Sequence, residues 1–170
     1  MTRKRLRLPS PAIFALMVLA ILLLLKLPDA VNDTPPVTPT TSVRVTRVID
    51  GDTVEVEDGR RIRLLGIDAP EIGYNGDPSE KGAAASQEWL RQRIKGASVQ
   101  LRYGPERLDR YGRTLAWIFM PGGELINKEL LEAGQARLLT RFGLPADLSP
   151  ELYQATATAR VQRRGIWSKQ

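Results

Sequence analysis

Thr53-Val54-Glu55-Val56-Glu57-Asp58-Gly59-Arg60-Arg61-Ile62-Arg63-Leu64-Leu65 is the stretch that decides the fold. Val54 and Val56 alternate with acids and Ile62 and Leu64 with arginines, and a period of two marks strands that bury one face. Asp58-Gly59 between them predicts a tight type I′ hairpin, whose central positions favour these residues. Val43 and Val45 alternate in the same way upstream. The expectation is a three-stranded meander with Asp50-Gly51-Asp52 at its first corner and Asp68-Ala69-Pro70 just past its last strand, so that the two acidic corners can meet at one end of the sheet.

Downstream, Asp77-Pro78-Ser79-Glu80 reads as an N-cap, a proline at the first helical position and a back-bonding glutamate. A helix is expected from there towards Lys95, burying Ala85, Trp89, Leu90 and Ile94, with a start as late as Gly82 left open. Val99, Leu101 and Tyr103 alternate as a strand, and Leu115 to Phe119 is almost wholly apolar, as a central strand would be. A turn at Pro121-Gly122-Gly123 leads to a short helix around Ile126, Leu130 and Leu131, closed by Gly134 in the left-handed conformation. Ser149-Pro150-Glu151 caps a last helix to about Arg164; Gly165 ends it, and Ile166 and Trp167 fold back as a hydrophobic latch. Short antiparallel strands with helices around a mixed core describe an α+β, mainly β, architecture: a five-stranded barrel of the oligonucleotide-binding (OB) kind with about three helices.

The 170 residues suffice for one compact domain and an appendage. Residues 1–8 are basic and Ala12 to Leu25 is an unbroken apolar run. Residues 1–27 therefore read as an N-terminal anchor that enters the membrane through residues 9–27, or as a cleaved signal peptide. The uncleaved anchor is favoured because Pro28 spoils the cleavage motif before Ala30. Its basic end stays in the cytoplasm, which places the rest outside, in the periplasm or the medium. Residues 28–41, rich in Pro and Thr, read as a disordered tether, and residues 42–170 as the domain. No protein partner is implied and a monomeric domain is expected. Of the 25 Lys and Arg, five precede residue 27, leaving 20 against 19 acids. Attraction for phosphate must then come from where the arginines sit, not from bulk charge.

The chain contains no His and no Cys, which excludes imidazole bases, thiolate nucleophiles and ordinary zinc sites. Hydrolysis must run on carboxylates, arginines and an oxygen-loving cation. Asp50, Asp52 and Asp68 are the candidate metal carboxylates, and an all-oxygen set points to Ca²⁺ ahead of Mg²⁺ or Mn²⁺. Glu71, aimed by Pro70, is the candidate proton acceptor for an attacking water. Arg63, opposite in direction to Ile62 and Leu64, and Arg113, just after Tyr111-Gly112, can clamp a pentacoordinate phosphorus by paired guanidinium contacts. Arg91, Arg93, Arg160, Arg163 and Arg164 lie at helical spacings and read as a solvated face.

Asp50-Gly51-Asp52-Thr53, Arg63-Leu64-Leu65-Gly66-Ile67-Asp68-Ala69-Pro70-Glu71 and Asp109-Arg110-Tyr111-Gly112-Arg113 together resemble the staphylococcal nuclease-like (thermonuclease) family, over roughly Ser42 to Ser168. The resemblance implies a hydrolase of DNA and RNA that uses one Ca²⁺. It implies Asp52, Asp68 and the Ala69 carbonyl as direct ligands, Asp50 and Glu71 acting through water, and Thr53 in support. Arg63 and Arg113 would grip the scissile phosphate, Glu71 would act as the general base, and Arg110 and Tyr111 would bind the neighbouring phosphate. Three departures stand out: Ala69 where the family has Thr, a segment from Ile72 to Gly82 without the family's lysines, and Thr140 and Phe142 at the two aromatic positions of the base pocket. The rival readings are an inactive OB-fold module that binds nucleic acid and a structural membrane protein.

Overall fold

A computed structural model of the chain describes residues 41–168. The expected anchor, and the tether up to Thr40, lie outside the described residues. In chain order the strands are β1 (Thr41–Val48), β2 (Thr53–Val56), β3 (Arg61–Leu64), β4 (Ile67–Asp68), β5 (Ser98–Leu108), β6 (Thr114–Phe119) and β7 (Arg137–Leu138). The helices are α1 (Ala83–Ile94), α2 (Ile126–Glu132) and α3 (Ser149–Val161), followed by a 3₁₀ turn at Gly165–Trp167. Five strands close into a barrel in the order β1-β2-β3-β6-β5, and β4 pairs with β7 in a separate ribbon. The barrel pairs are antiparallel except β3 with β6, where Ile62 lies opposite Thr114 and Leu64 opposite Ala116. This is the five-stranded OB-type barrel with three helices expected from the strand pattern.

The register follows from the alternation. Val54 sits opposite both Val48 and Ile62, so Val43, Val45, Val54, Val56, Ile62 and Leu64 all point inward and are buried. Val45 and Val48 are three apart, yet both face the core. A register shift between Val45 and Arg47 accounts for this, since an extra residue in one strand resets its phase. β6 is central, and Ala116, Trp117, Ile118 and Phe119 are buried. Asn127 at 0% exposure ties it to the next layer: its Oδ1 accepts the Ile118 N–H at 3.0 Å and its Nδ2 donates to the Leu65 carbonyl at 2.8 Å.

Several local expectations are corrected. Asp58-Gly59 does not make a type I′ turn, because only Gly59 has positive φ, at 83°. Gly59 N–H donates to Val56 O at 2.8 Å and Val56 N–H to Arg60 O at 3.0 Å, the pattern of a three-residue loop with a type I turn and a glycine bulge. Asp109–Arg113 repeats it, with Gly112 at φ 76°. Of the two starts left open for the first helix, the structure takes the later, with Gly82 as N-cap and Ala83 as the first helical residue, because the polar residues at Asp77 to Glu80 close a loop instead: Ser79 Oγ accepts the Gly73 N–H at 3.0 Å. Its buried face is Ala83, Ser86, Leu90 and Ile94; Ala85 is exposed and Trp89 only partly covered. Ser86 can be buried because its hydroxyl donates to Gln135 O at 2.8 Å.

The last helix has Leu148 at its N-cap, without a side-chain cap from Ser149, and it stops at Val161. Arg163, at φ 52°, takes the left-handed position, and Arg164 N–H reaches back to Ala159 O at 2.9 Å, so the helix closes before Gly165. Of the expected solvated arginines, Arg93 is half-buried in an ion pair with Glu129 at 2.7 Å.

The chain does fold back after α3, but polar contacts hold it and neither Ile166 nor Trp167 is buried: Ile166 N–H donates to Gly134 O at 2.8 Å, and Arg160 lies 4.5 Å from the centre of the Trp167 ring. Gly134 has φ 68°, and a Cβ there would lie 2.3 Å from Arg164 O. Gly134→Ala should therefore cost roughly 2 kcal/mol or more, the left-handed penalty plus a backbone clash that no rotamer relieves. Urea unfolding checks this, and an unchanged midpoint would contradict it. No helix among the described residues is long and apolar enough to cross a membrane.

Candidate active site

The first acidic corner is held by its own backbone. Asp50 Oδ1 accepts the Asp52 N–H at 3.0 Å, and Ile49 N–H closes the corner on Thr53 O at 2.9 Å. Gly51 between them is set by close approach: a Cβ there would lie 2.0 Å from Ser86 Oγ and 2.6 Å from Ala69 Cβ. The absence of a side chain lets this corner press against α1 and against Ala69, and that contact joins the two acidic segments.

Asp68 is not a loop residue beyond the last meander strand. It lies in β4, opposite Arg137 of β7, with its side chain 51% exposed. Asp52 is 1% exposed and spends both oxygens: Oδ1 accepts the Thr53 hydroxyl at 3.1 Å, and Oδ2 accepts the Ala69 N–H at 3.0 Å and Arg63 Nη2 at 2.9 Å. Burial pushes its carboxyl up to about 7; Arg63 pulls against this and the charge of Asp50 adds to it.

Arg63 is fully engaged. Nη1 donates to Leu64 O at 2.6 Å and Ile67 O at 2.9 Å, and Nη2 reaches Asp52 Oδ2 at 2.9 Å and Asp68 Oδ1 at 3.3 Å. A single cationic nitrogen thus lies between the carboxylates of the two corners. Arg113 comes from the β5–β6 turn. Its backbone N–H and its Nε both bond Asp109, at 2.9 and 2.7 Å, and its Nη1 reaches Thr53 Oγ1 at 3.4 Å. Thr53 bonds Asp52 in turn, so both guanidinium groups border the same acid.

Glu71 is exposed just past Pro70. Partial desolvation raises its carboxyl above the usual range; Asp50 and Asp68 push the same way, while Arg63 and Arg113 oppose them. The charges of Asp50, Arg63, Asp68 and Arg113 are therefore near enough to act on Glu71. Arg110 and Tyr111 flank it on the same turn. Arg110 Nη2 donates to the Tyr111 hydroxyl at 2.6 Å, and the Tyr111 ring, 68% exposed, lies 4.7 Å from the Arg110 guanidinium and 5.5 Å from that of Arg113.

A groove of about 1110 Å³ opens beside these residues, from Arg63 and Asp68 past Arg113 and Tyr111 to Arg141 and Phe142. Phe142 lines it, whereas Thr140 does not. Such a groove, lined by arginines at both ends and by apolar side chains such as Leu115 and Trp117, suits a ligand with a phosphate and a flat base.

The sequence reading passed over Asp109 as a site residue. The signal was present in Asp109-Arg110-Tyr111-Gly112-Arg113: an Asp opening a turn can bond the backbone that follows, and here it also fixes the arginine at the turn's far end. Among the described residues no three His, Cys, Asp or Glu side chains gather closely enough to hold a metal by themselves.

Residues 61–169 match the family model described as staphylococcal nuclease homologue. The chain is 34% identical over 129 residues to a thermonuclease of Staphylococcus hyicus, covering 74% of this chain and 75% of that protein. It is 36% identical over 132 residues to a thermonuclease of Staphylococcus intermedius, covering 75% and 77%. A micrococcal nuclease of Shigella flexneri is 34% identical over 137 residues, covering 73% and 72%. With a closed five-stranded barrel, three helices and this degree of likeness, the chain belongs to the staphylococcal nuclease homologue family.

Proposed function

We propose that the domain is a Ca²⁺-dependent nuclease that hydrolyses phosphodiester bonds of DNA and RNA outside the cytoplasm, held there by the N-terminal anchor. The nuclease part rests on the family and on the thermonucleases and micrococcal nuclease it resembles. The observation that carries the chemistry is the meeting of Arg63 Nη2 with Asp52 at 2.9 Å and Asp68 at 3.3 Å: two carboxylates from separate segments already converge on one positive centre. Two carboxylates are too few for Ca²⁺ alone, which takes about 6–8 oxygens, but the Ala69 carbonyl, Asp50 through water and further waters would complete an oxygen-only set. The residues fit the ion, and no nitrogen or sulfur ligand competes for a softer one.

The ion would supply Lewis-acid polarisation of a phosphoryl oxygen. Asp52 and Asp68 would exchange the counter-charge of Arg63 for that of the cation, leaving Arg63 Nη2 for a phosphate oxygen. Arg113, anchored through Nε and with Nη1 only loosely held by Thr53 at 3.4 Å, would turn its Nη groups to the same phosphate and stabilise charge as it builds in the transition state. Glu71 takes the proton of the attacking water. Arg110 and Tyr111 hold the adjacent phosphate. The extracytoplasmic, tethered setting is supported by the basic start and apolar run of residues 1–27, and N-terminal sequencing of the mature protein separates an anchor from a cleaved leader.

The reading is tested by incubating the purified protein with DNA and with RNA, in millimolar calcium and in chelator. Cleavage of both that stops on chelation is expected. Cleavage that persists under chelation would remove the ion from the account, and binding without cleavage in calcium would favour the inactive module.

A further inference from the structure

We propose that Glu80 is a positioning residue for Glu71, an inference that rests on reading Glu71 as the proton acceptor. Among the described residues, no side chain hydrogen-bonds the Glu71 carboxylate. Its aim therefore depends on its backbone. Pro70 restrains that backbone on one side, and Glu80 holds it on the other by a reciprocal pair: Glu80 Oε2 accepts the Glu71 N–H at 3.3 Å, and the Glu80 N–H donates to Glu71 O at 2.9 Å.

The segment between them is mostly exposed, but its own short-range contacts close it into a loop. Gly73 N–H bonds Ser79 Oγ at 3.0 Å, Asp77 N–H bonds Tyr74 O at 3.1 Å, and a Cβ on Gly73 would lie 2.0 Å from Asp77 O. Glu80 O in turn accepts the Ala83 N–H at 3.1 Å, at the start of α1. That helix is fixed to the chain beyond α2 through Ser86 and Gln135 at 2.8 Å. Glu80 thus hands the rigidity of a packed helix to an exposed, otherwise unheld acid. The proposed coupling runs through this pair of hydrogen bonds.

The test is a double-mutant cycle on the full chain with steady-state cleavage kinetics. Glu80→Ala should lower kcat by about tenfold with KM little changed, the effect of misplacing a reacting group and not of losing a substrate contact. Glu80→Gln keeps an oxygen acceptor without the charge and should recover most of the lost turnover. In a Glu71→Gln background, Glu80→Ala should have no further effect. Undiminished kcat in Glu80→Ala would overturn the proposal. So would a loss in Glu80→Gln as large as in Glu80→Ala, or a full additional loss in the Glu71→Gln background. Should Glu80→Ala fail to fold, Glu80→Asp withdraws the carboxylate by one methylene and takes its place with the same expected loss. If Glu71→Gln alone leaves turnover untouched, the proton-acceptor reading fails, and that outcome is distinct from a failure confined to Glu80.

Discussion

Arg113→Ala is expected to lower kcat by about 10²-fold or more, the scale of losing one donor aimed at transition-state charge. The variant should fold, because Arg113 is partly exposed and its main ion pair, with Asp109 at 2.7 Å, lies within a single turn. Arg113→Lys restores the charge without the fork or the Nε anchor and should recover little. Arg63→Ala should lose at least as much activity, but it is the less clean experiment, since Arg63 also holds the Leu64 and Ile67 carbonyls. Unchanged turnover in Arg113→Ala would remove that residue from the mechanism.

The Asp109 anchor also has a definite pH sense. Burial alone would raise the Asp109 carboxyl, but hydrogen bonds from Arg113 and Tyr111 outweigh it and hold it below the usual range. Its contribution to stability is complete above the unfolded aspartate value and is lost only as pH falls through the lower folded one. Between pH 5 and 8, stability and the placement of Arg113 should therefore be indifferent to this group. Comparing acid unfolding of the wild type with Asp109→Asn checks it: the two curves should run parallel above about pH 5 and converge only at lower pH.

Asp52→Ala is expected to abolish calcium binding and reduce cleavage by more than about 10²-fold, and to cost stability as well. The substitution leaves the Ala69 N–H and the Thr53 hydroxyl without their acceptor, a loss of about 1–3 kcal/mol for a buried polar group. Arg63 is not stranded, because Asp68 and two carbonyls still receive it. The full penalty of an orphaned buried charge, about 3–5 kcal/mol, should accordingly not appear. Relief from burying a carboxylate with a raised proton affinity acts in the opposite direction. Calcium titration and thermal unfolding of the same preparation separate the two effects. A variant that binds calcium as the wild type does would end the case for Asp52 as a ligand.

The barrel was legible because each strand shows its buried face by alternation: Val54 and Val56, Ile62 and Leu64, Val99 and Leu101 all lie inside as their spacing requires. Where the reading failed, polar residues had more than one use. Asp77 to Glu80 carry every mark of a helix start, yet Ser79 and Glu80 bond Gly73 and Glu71, and the helix waits until Ala83. Ser86 escaped the apolar stripe because a buried hydroxyl is satisfied only by Gln135, far along the chain. Ser149 looks like a cap and makes no cap bond.

In the site, the proposed chemistry comes from the residue types and the proposed roles from the resemblance. The contacts between segments could not be read from spacing. The bridging of Asp52 and Asp68 by Arg63 depends on β4 pairing with β7 and on Gly51 fitting against Ala69 and Ser86, two tertiary facts with no local signature. Asp109 was visible in the motif, but its grip on Arg113 was hidden until the turn was seen to bring residues four apart face to face.

The central claim, that carboxylates from two corners share one ion, is tested most directly by calorimetric titration of calcium into the wild type and into Asp68→Ala. The side chain of Asp68 is 51% exposed, so its removal leaves the fold intact. The account predicts one ion bound by the wild type, with a Kd on the order of 10⁻⁴ to 10⁻³ M, and no measurable binding by the variant. Equal binding by both proteins would contradict it.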